Sequence, residues 1–271
     1  MKKLCYLILA HNNLDYVADL IESLSSDNVG FIVHIDSKCS ESRKPVEEIS
    51  NRRNVKLLED RKDILWGGKS MVDIVNQMSR LALDDNLKYD YFILLSGQDM
   101  PVKSSEYILN YLETNGYKNY LAAGRMMTAE CVWQEQGRRR LECYAVRLGQ
   151  REIATIEPGC LNYNNLRQIF KTFLYGDRAS ILSMVKALFS ARRSGLGIVP
   201  YGGEFWWRMN RKSLKTIIDY YDSHPELDKE LSYTSNPDEI VYNTLAYNLC
   251  DNIENNLLTY VKWGGVNLPI G

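Results

Sequence analysis

The chain lacks the features typical of a membrane-spanning or a nucleic-acid-binding protein. Among its 271 residues, no apolar run approaches the ~20 residues that a transmembrane helix needs. The run Leu4–Ala10 is short and no small-residue cleavage pattern follows it, so we interpret it as a buried strand rather than a signal peptide. Lys and Arg number 33 against 34 Asp and Glu, and this balance gives no sign of a nucleic-acid partner. We expect a cytoplasmic protein, with peripheral association with the membrane face left open.

Paired cysteines are also missing. The six cysteines contain no Cys-x-x-Cys spacing, and Cys5 and Cys250 lie in apolar segments, as buried thiols do. A reducing compartment is the simpler interpretation, although three cysteines between 131 and 160 leave a disulfide open. Aromatic residues are plentiful instead: 18 Tyr and 5 Trp suit a carbohydrate site, but this composition is a weak signal alone.

Hydrophobic patterning in the first half of the chain alternates between strands and helices. Short runs of β-forming residues predict strands over 3–10, 31–35, 55–58 and 91–95. Apolar residues at helical spacing predict helices over 15–24, 70–82 and from 104 or 105 to 112. This order indicates an α/β fold in which a mainly parallel, Rossmann-like sheet is flanked by helices.

The second half is less regular, and residues 125–160 show no clean period. A helical pattern over 166–188 is interrupted near Gly176. Further helices are predicted over 211–221 and 237–249, and strands over 118–122, 205–209 and 257–263.

Polar residues follow the predicted strands of the first half. Asp99 lies in the turn SGQDMP after the strand 91–95, Asp36 follows the second strand, and His11 and Asn12 follow the first. Ligands of open α/β sheets bind at the carboxyl ends of the strands, so together these residues predict a nucleotide site. Taken singly, Asp36 and Asn12 are better explained as residues that cap turns, and His11 as a hydrogen-bonded polar residue. The segment WGGKS lacks the spacing of a P-loop; Trp66 either walls a pocket or lies in an ordinary turn.

A second group of acidic residues lies in the last third of the chain. In SNPDE (235–239), Pro237 suits a first helical turn with Asn236 as its N-cap, which puts Glu239 at the third helical position. Glu239 is then either a capping-box residue or a general base at a helix start. In YGGEFWW (201–207), Glu204 is either an acceptor-binding carboxylate or a solvated turn residue, and Trp206 a candidate sugar platform.

The Asp-x-Asp motif, through which many nucleotide-sugar transferases bind a divalent metal, occurs nowhere in the sequence. Without a metal, a leaving diphosphate needs Arg or Lys. Lys262, Arg208 and Arg211 are candidates, each of which is equally explained as a surface cation. The run 138–140, three consecutive arginines, is interpreted as a solvated helix face rather than as an anion site.

The ordered set HIDSK, WGGKS, YDYFILLSGQDMP, YGGEFWW and NPDE resembles the core-2/I-branching family of β-1,6-N-acetylglucosaminyltransferases, which includes the peptide O-xylosyltransferases. The resemblance spans roughly residues 4–263, and the chain is similar to a compact prokaryotic member. It implies a GT-A fold, a UDP-sugar donor, inversion at the anomeric carbon, and no metal or other cofactor. It also implies one catalytic domain over 1–271, with a donor lobe over about 1–115 and an acceptor lobe over 116–271.

The resemblance assigns roles by motif position. It implies that Glu239 is the catalytic base, that Asp36 contacts uridine, and that Asp99 lies where donor and acceptor meet. Glu204 and Trp206 fall in the acceptor segment, and Lys262 is the match for a diphosphate-binding cation. His11, Asn12 and Trp66 complete the predicted donor site.

The expected activity is metal-independent transfer of GlcNAc or xylose from a UDP-sugar to a hydroxyl of an oligosaccharide, polysaccharide or lipid-linked glycan. One alternative is a non-catalytic sugar- or nucleotide-binding protein with the same fold. Another is a glycoside hydrolase that uses Asp99 and Glu239 as its carboxylate pair.

Overall fold

A central sheet of seven strands organises the protein, seen here in a computed structural model that describes residues 2–148, 152–193 and 195–261. Its strand order is β11-β5-β10-β4-β1-β2-β3, and two antiparallel two-stranded sheets, β6-β9 and β7-β8, stand apart from it. The strands are β1 Leu4–Ala10, β2 Val29–Ile35, β3 Val55–Leu57, β4 Tyr91–Ser96, β5 Asn119–Tyr120, β6 Ala123–Arg125, β7 Tyr144–Leu148, β8 Glu152–Ile156, β9 Tyr201–Gly203, β10 Arg208–Asn210 and β11 Ile253–Glu254.

Helices cover both faces of the sheet. They are α1 Leu14–Leu24, α2 Lys44–Ser50, α3 Ser70–Ala82, α4 Ser105–Thr114, α5 Arg138–Glu142, α6 Tyr163–Tyr175, α7 Arg178–Leu188, α8 Arg211–Ser223, α9 Pro225–Leu231 and α10 Asp238–Leu249. A short 3-10 helix, Gln134–Gly137, precedes α5. The break predicted near Gly176 is confirmed, since α6 ends at Tyr175 and Asp177 caps α7.

Strands β1, β2 and β4 are almost entirely apolar, which suits the burial of both of their faces. In β1, Tyr6 and Ile8 pack towards α1, α2 and α4, whereas Leu7 and Leu9 pack towards α3, α8 and α10. The side chains of β4 alternate in the same way. The helices therefore form one layer on each side of the sheet, each with its own apolar core.

The sheet is mainly parallel, as the sequence predicts. Strands β3, β2, β1 and β4 run parallel to their neighbours and β11 runs parallel to β5, whereas β10 is antiparallel to both β4 and β5. The carboxyl ends of β1, β2 and β4 therefore meet at one edge of the sheet. Two strands of the sheet, β10 and β11, come from the second half of the chain.

Some details of the second half differ from expectation. No strand forms over 257–261; the last described strand is the two-residue β11, and Lys262 lies outside the described residues. The predicted strand 205–209 is shortened to β10, because the preceding residues turn away after β9. All six cysteines are free. Within the described residues, none of the helices combines the length and apolar character needed to cross a membrane.

Candidate active site

The carboxyl edge of the sheet brings together the polar residues predicted from the first half. The Gln98 side-chain amide donates a hydrogen bond to Asn12 Oδ1 at 3.1 Å, and its nitrogen lies 3.4 Å from His11 Nε2. Gln98 belongs to the turn after β4, whereas His11 and Asn12 follow β1, so parallel pairing of the two strands produces the contact. The predicted juxtaposition of these strand ends is therefore observed.

Asp36 is held firmly at the end of β2. Its Oδ1 accepts a hydrogen bond from the backbone N–H of Lys38 at 2.8 Å, and its Oδ2 accepts one from Ile64 at 3.2 Å. The side chain is nearly buried, and Lys38 Nζ lies 3.6 Å from Oδ2. Asp36 thus ties the HIDSK turn to the segment that follows β3. These hydrogen bonds confirm the interpretation of Asp36 as a turn-forming residue. Its contact with uridine stays a prediction.

His34, two residues earlier on β2, accepts a hydrogen bond from the backbone N–H of Lys62 on its Nε2 at 3.0 Å. Burial lowers the pKa of His34 to about 4 despite the nearby Asp36. The imidazole is therefore neutral at physiological pH and fixes the same segment that Asp36 binds.

Asp99 lies above a cavity of about 520 Å³ that opens between the sheet, α1 and α4. Burial raises the pKa of Asp99, although its carboxylate accepts a hydrogen bond from the Ser96 N–H at 2.8 Å and is attracted by Arg208. Arg208, on β10, also lines this cavity, is nearly buried and hydrogen-bonds to Thr259. Of the two described cations considered for a diphosphate, only Arg208 lies beside Asp99. Arg211 instead binds Asp85 and the carbonyls of Leu83 and Tyr89.

The WGG turn lies between the carboxyl edge of the central sheet and the acidic residues at the start of α10. Gly67 has a φ of +71°, and its carbonyl accepts a hydrogen bond from the backbone N–H of Asn236 at 2.8 Å. The turn therefore lies directly against the start of α10, and Trp66 beside it is 78% exposed. An indole so exposed is available to a ligand, and its role in a donor pocket stays a prediction.

Glu239, in the first turn of α10, forms an ion pair with Arg140 of α5. The Arg140 guanidinium in turn lies over the Trp133 ring, 3.6 Å from its centroid, as in a cation–π contact. About a quarter of each charged side chain is exposed, so the pair remains accessible to a ligand. The capping arrangement that the sequence suggested is absent from this helix start: the cap position is Pro237, and no side chain caps it. Asn236 instead adopts a left-handed conformation, with a φ of +51°.

Two more carboxyl groups lie beside Glu239. Burial, and then the charge of Glu239, raise the pKa of Glu204. Asp238 is nearly buried, and the same two causes in the same order raise its pKa to about 7. Asp238 Oδ1 has no hydrogen-bond partner among the described residues. The Asn243 side-chain amide donates to the backbone carbonyls of Glu204 and Glu239 and so holds the two segments together. Glu239, paired with Arg140, thus has two neighbouring carboxyl groups whose pKa values are raised.

The glycines of YGGEFWW make room for this arrangement. A Cβ on Gly202 would overlap the Trp133 indole, which carries Arg140. Trp207 is buried against Tyr242, at 5.6 Å between ring centroids. Trp206 is only partly buried and packs against Phe205 at 5.1 Å, so it is the tryptophan of this pair that a ligand can reach.

Arg140 is the site residue that the sequence did not reveal. The three consecutive arginines were interpreted as a solvated face, which is wrong for Arg140. Ninety-nine positions separate it from Glu239, and nothing in the local pattern distinguishes it from Arg138, which pairs with Glu135 and Glu142. In the described residues, no group of three or more His, Cys, Asp and Glu side chains is arranged to hold a metal ion.

An α/β sheet with polar strand ends, a cluster of three carboxyl groups and two accessible tryptophans form a candidate enzyme active site, and comparisons with known proteins give the family. The Core-2/I-Branching enzyme model matches residues 4–142, which is half of the chain. The chain therefore belongs to the Core-2/I-Branching enzyme family, as the motifs predicted, and the expected GT-A-type fold is confirmed.

Individual relatives are distant. Xylosyltransferase 2 of Canis lupus familiaris is 22% identical over 96% of this chain, but the chain spans only 26% of that protein. The chain thus covers about a quarter of the length of the curated relatives it matches. Among solved structures, 4-diphosphocytidyl-2C-methyl-D-erythritolsynthase from Anaerococcus prevotii has a TM-score of 0.40 at 10% identity, covering 93% of this chain and 86% of that one. S. aureus TarS 1-349 in complex with UDP-GlcNAc has a TM-score of 0.35 at 16% identity, covering 70% and 54%. These structural likenesses are too weak to carry a conclusion.

Proposed function

We propose that this chain is an inverting glycosyltransferase that moves GlcNAc or xylose from a UDP-sugar to a glycan hydroxyl without a divalent metal. Membership of the Core-2/I-Branching enzyme family supports the class of activity, and the relatives named xylosyltransferases support xylose as one of the donor sugars to test. The observation that carries the proposal is the partly exposed Glu239, held by Arg140 at the start of α10 between Glu204 and the WGG turn.

Glu239 is the general base of the proposed reaction. It accepts the proton of the acceptor hydroxyl while that oxygen attacks C1 of the donor sugar, and the bond from C1 to the UDP oxygen breaks on the opposite face. The partly exposed Trp206 and Glu204 flank the acceptor. His11, Asn12, Asp36, Trp66 and Asp99 contribute to the donor side. The departing diphosphate is stabilised by cations, for which Lys262 and Arg208 are the candidates.

The direct test is UDP release from a panel of UDP-sugars with candidate glycan acceptors, in excess EDTA. We expect wild-type turnover in EDTA and a loss of about a hundredfold or more in Glu239→Gln, which keeps the size of the side chain but cannot accept a proton. Abolition of turnover by EDTA and its restoration by Mn²⁺ would refute metal independence.

Glu226→Gln is the matched control, since Glu226 also lies in the first turn of a helix, α9, but is solvent-exposed and outside the site. This variant should turn over like the wild type. Near-normal turnover by folded Glu239→Gln would remove Glu239 as the base. Binding of UDP by the wild type without turnover on any acceptor would favour the alternative, a non-catalytic binding protein.

A further inference from the structure

A small helical layer projects an unpartnered apolar surface from the second half of the chain. Helices α6 and α7 pack on the same face of the β7–β8 hairpin and enclose a core of their own. That core consists of Val146, Ile156, Met184 and Ala187 and is separate from the two cores of the central sheet. Because the inner sides of both helices are already satisfied, their remaining apolar residues have nothing within the described chain to cover them.

One side of α6 carries a continuous apolar stripe. The stripe consists of five side chains that are each more than half exposed: Tyr163, Leu166, Phe170, Phe173 and Leu174. Successive members are three, four, three and one residues apart. This spacing puts them along one side of the helix. Asn165 and Thr172, on another side, are fully buried against the layer. The stripe is therefore an outer surface, and burial within its own layer does not explain it.

Helix α7 repeats the arrangement. Leu182, Val185 and Phe189, spaced three and four residues apart, are 71%, 40% and 87% exposed. Single exposed apolar residues are ordinary, but two adjacent helices that each expose an apolar stripe form a patch of the kind that marks an interaction surface. We call these eight residues the α6–α7 patch.

The charge around the patch is mainly positive. Residues 161–191 contain four Lys and Arg against the single acid Asp177, although the whole chain carries a net charge of −1. Arg192 and Arg193, which follow, pair with Glu142, Glu157 and Glu230 and are not counted. Arg167 and Lys186 each directly follow a patch residue and are exposed, so their charges flank the stripes. Arg178 is exposed at the start of α7, and none of these three forms an ion pair with another described residue.

This combination points to a lipid surface rather than to a protein partner. At 13 and 11 residues the helices are too short to span a bilayer but suit lying along its surface. Aromatic and Leu side chains on one face with Lys and Arg beside them are the composition of interfacial amphipathic helices, whereas protein interfaces are depleted in Lys. We propose that the α6–α7 patch docks onto an anionic lipid bilayer, with its apolar residues inserted at the headgroup boundary and its basic residues on the lipid phosphates. The proposal stands apart from the proposed reaction, since docking needs neither donor nor acceptor.

The test is flotation with vesicles of phosphatidylcholine alone or mixed with phosphatidylglycerol, at low and high salt. We expect the wild type to float with the anionic vesicles and at least tenfold less with neutral ones, with binding weakened by salt. Phe170→Ser/Phe173→Ser should weaken anionic-vesicle binding at least tenfold, and Arg167→Glu/Lys186→Glu by a similar factor. Both pairs are exposed, so the variants should keep the wild-type melting temperature.

Matched controls exist elsewhere on the surface. Val102→Ser/Val132→Ser removes two apolar side chains that are 88% and 92% exposed, and Lys44→Glu/Lys56→Glu reverses two exposed charges outside the layer. Both controls should float like the wild type. Flotation of the wild type with neither vesicle, or equal loss in patch and control variants, would overturn the proposal. So would a concentration-dependent dimer in sedimentation velocity that the Phe variant abolishes while no vesicle binds.

Discussion

At the scale of single residues, the contact between Glu239 and Arg140 has the clearest consequence. Arg140→Ala leaves Glu239 in place in the sequence but without the partner that fixes its side chain. We expect UDP release to fall about a hundredfold, because a misplaced base loses most of its effectiveness. The free energy of unfolding should change by no more than about 1 kcal/mol, since the pair is partly exposed.

Arg138→Ala is the control for this prediction, because Arg138 starts the same short helix but pairs with Glu135 and Glu142 instead. Initial rates and melting temperatures of the two variants separate positioning from stability. If Arg140→Ala keeps the wild-type rate, Arg140 does not position Glu239 for the reaction.

Asp238 gives a prediction about pH. Burial and the charge of Glu239 raise its pKa to about 7 in the folded protein, from the ordinary value of 3.8 for an aspartate. Between these two values the unfolded chain releases the proton and the folded protein keeps it, so this group makes the fold less stable as pH rises. Above about pH 7 both states are ionised and the loss is complete.

Asp238→Asn cannot ionise and should lose this dependence. Thermal unfolding from pH 4 to 8 should show Asp238→Asn becoming more stable relative to the wild type as pH rises. The difference in free energy of unfolding should grow by up to about 1.4 kcal/mol per pH unit and level off above pH 7. Asp251→Asn, at an 81% exposed carboxylate, is the control and should follow the wild type. A constant difference between Asp238→Asn and wild type across the range would contradict the assignment.

At the scale of elements, strand β9 packs so closely on Trp133 that only glycine fits at position 202. A methyl group at this position overlaps the Trp133 indole, and the indole carries Arg140. We expect Gly202→Ala to lower the free energy of unfolding by about 1–3 kcal/mol, as overpacking does, and to reduce turnover as well. Urea unfolding and UDP release measure the two effects.

The double variant Gly202→Ala/Trp133→Ala separates the two causes. Removal of the indole relieves the overlap, so stability should partly return, but Arg140 then lacks its ring and turnover should stay low. Recovery of turnover together with stability would mean that the Trp133–Arg140 contact is irrelevant to the reaction.

The elements also explain what sequence patterns could predict. Strands β1 and β4 are buried on both faces, so their short apolar runs identify them, and the turn after β4 brings Asp99 to the predicted edge. The sequence does not predict the hairpin β7–β8, although Tyr144, Val146 and Leu148 alternate with other residues. The alternation is short, and the hairpin packs on two helices rather than on the main sheet. The contact between Arg140 and Glu239 depends on how distant segments pack, which no local period encodes.

At the scale of the whole molecule, UDP binding should stabilise the fold. The predicted donor residues lie on separate strands and on the segment after β3, so a ligand that bridges them opposes global unfolding. Saturation at a hundred times the dissociation constant contributes about 2.7 kcal/mol. We therefore expect UDP in EDTA to raise the melting temperature by several degrees, and ADP to raise it less.

Glu239→Gln should keep this shift while losing turnover, because the base acts on the acceptor and not on the nucleotide. If Glu239→Gln loses both the melting-temperature shift and turnover, Glu239 is a donor-binding residue. If the melting temperature of the wild type responds to neither UDP nor any UDP-sugar, with or without Mn²⁺ and acceptor, the nucleotide-sugar hypothesis is wrong.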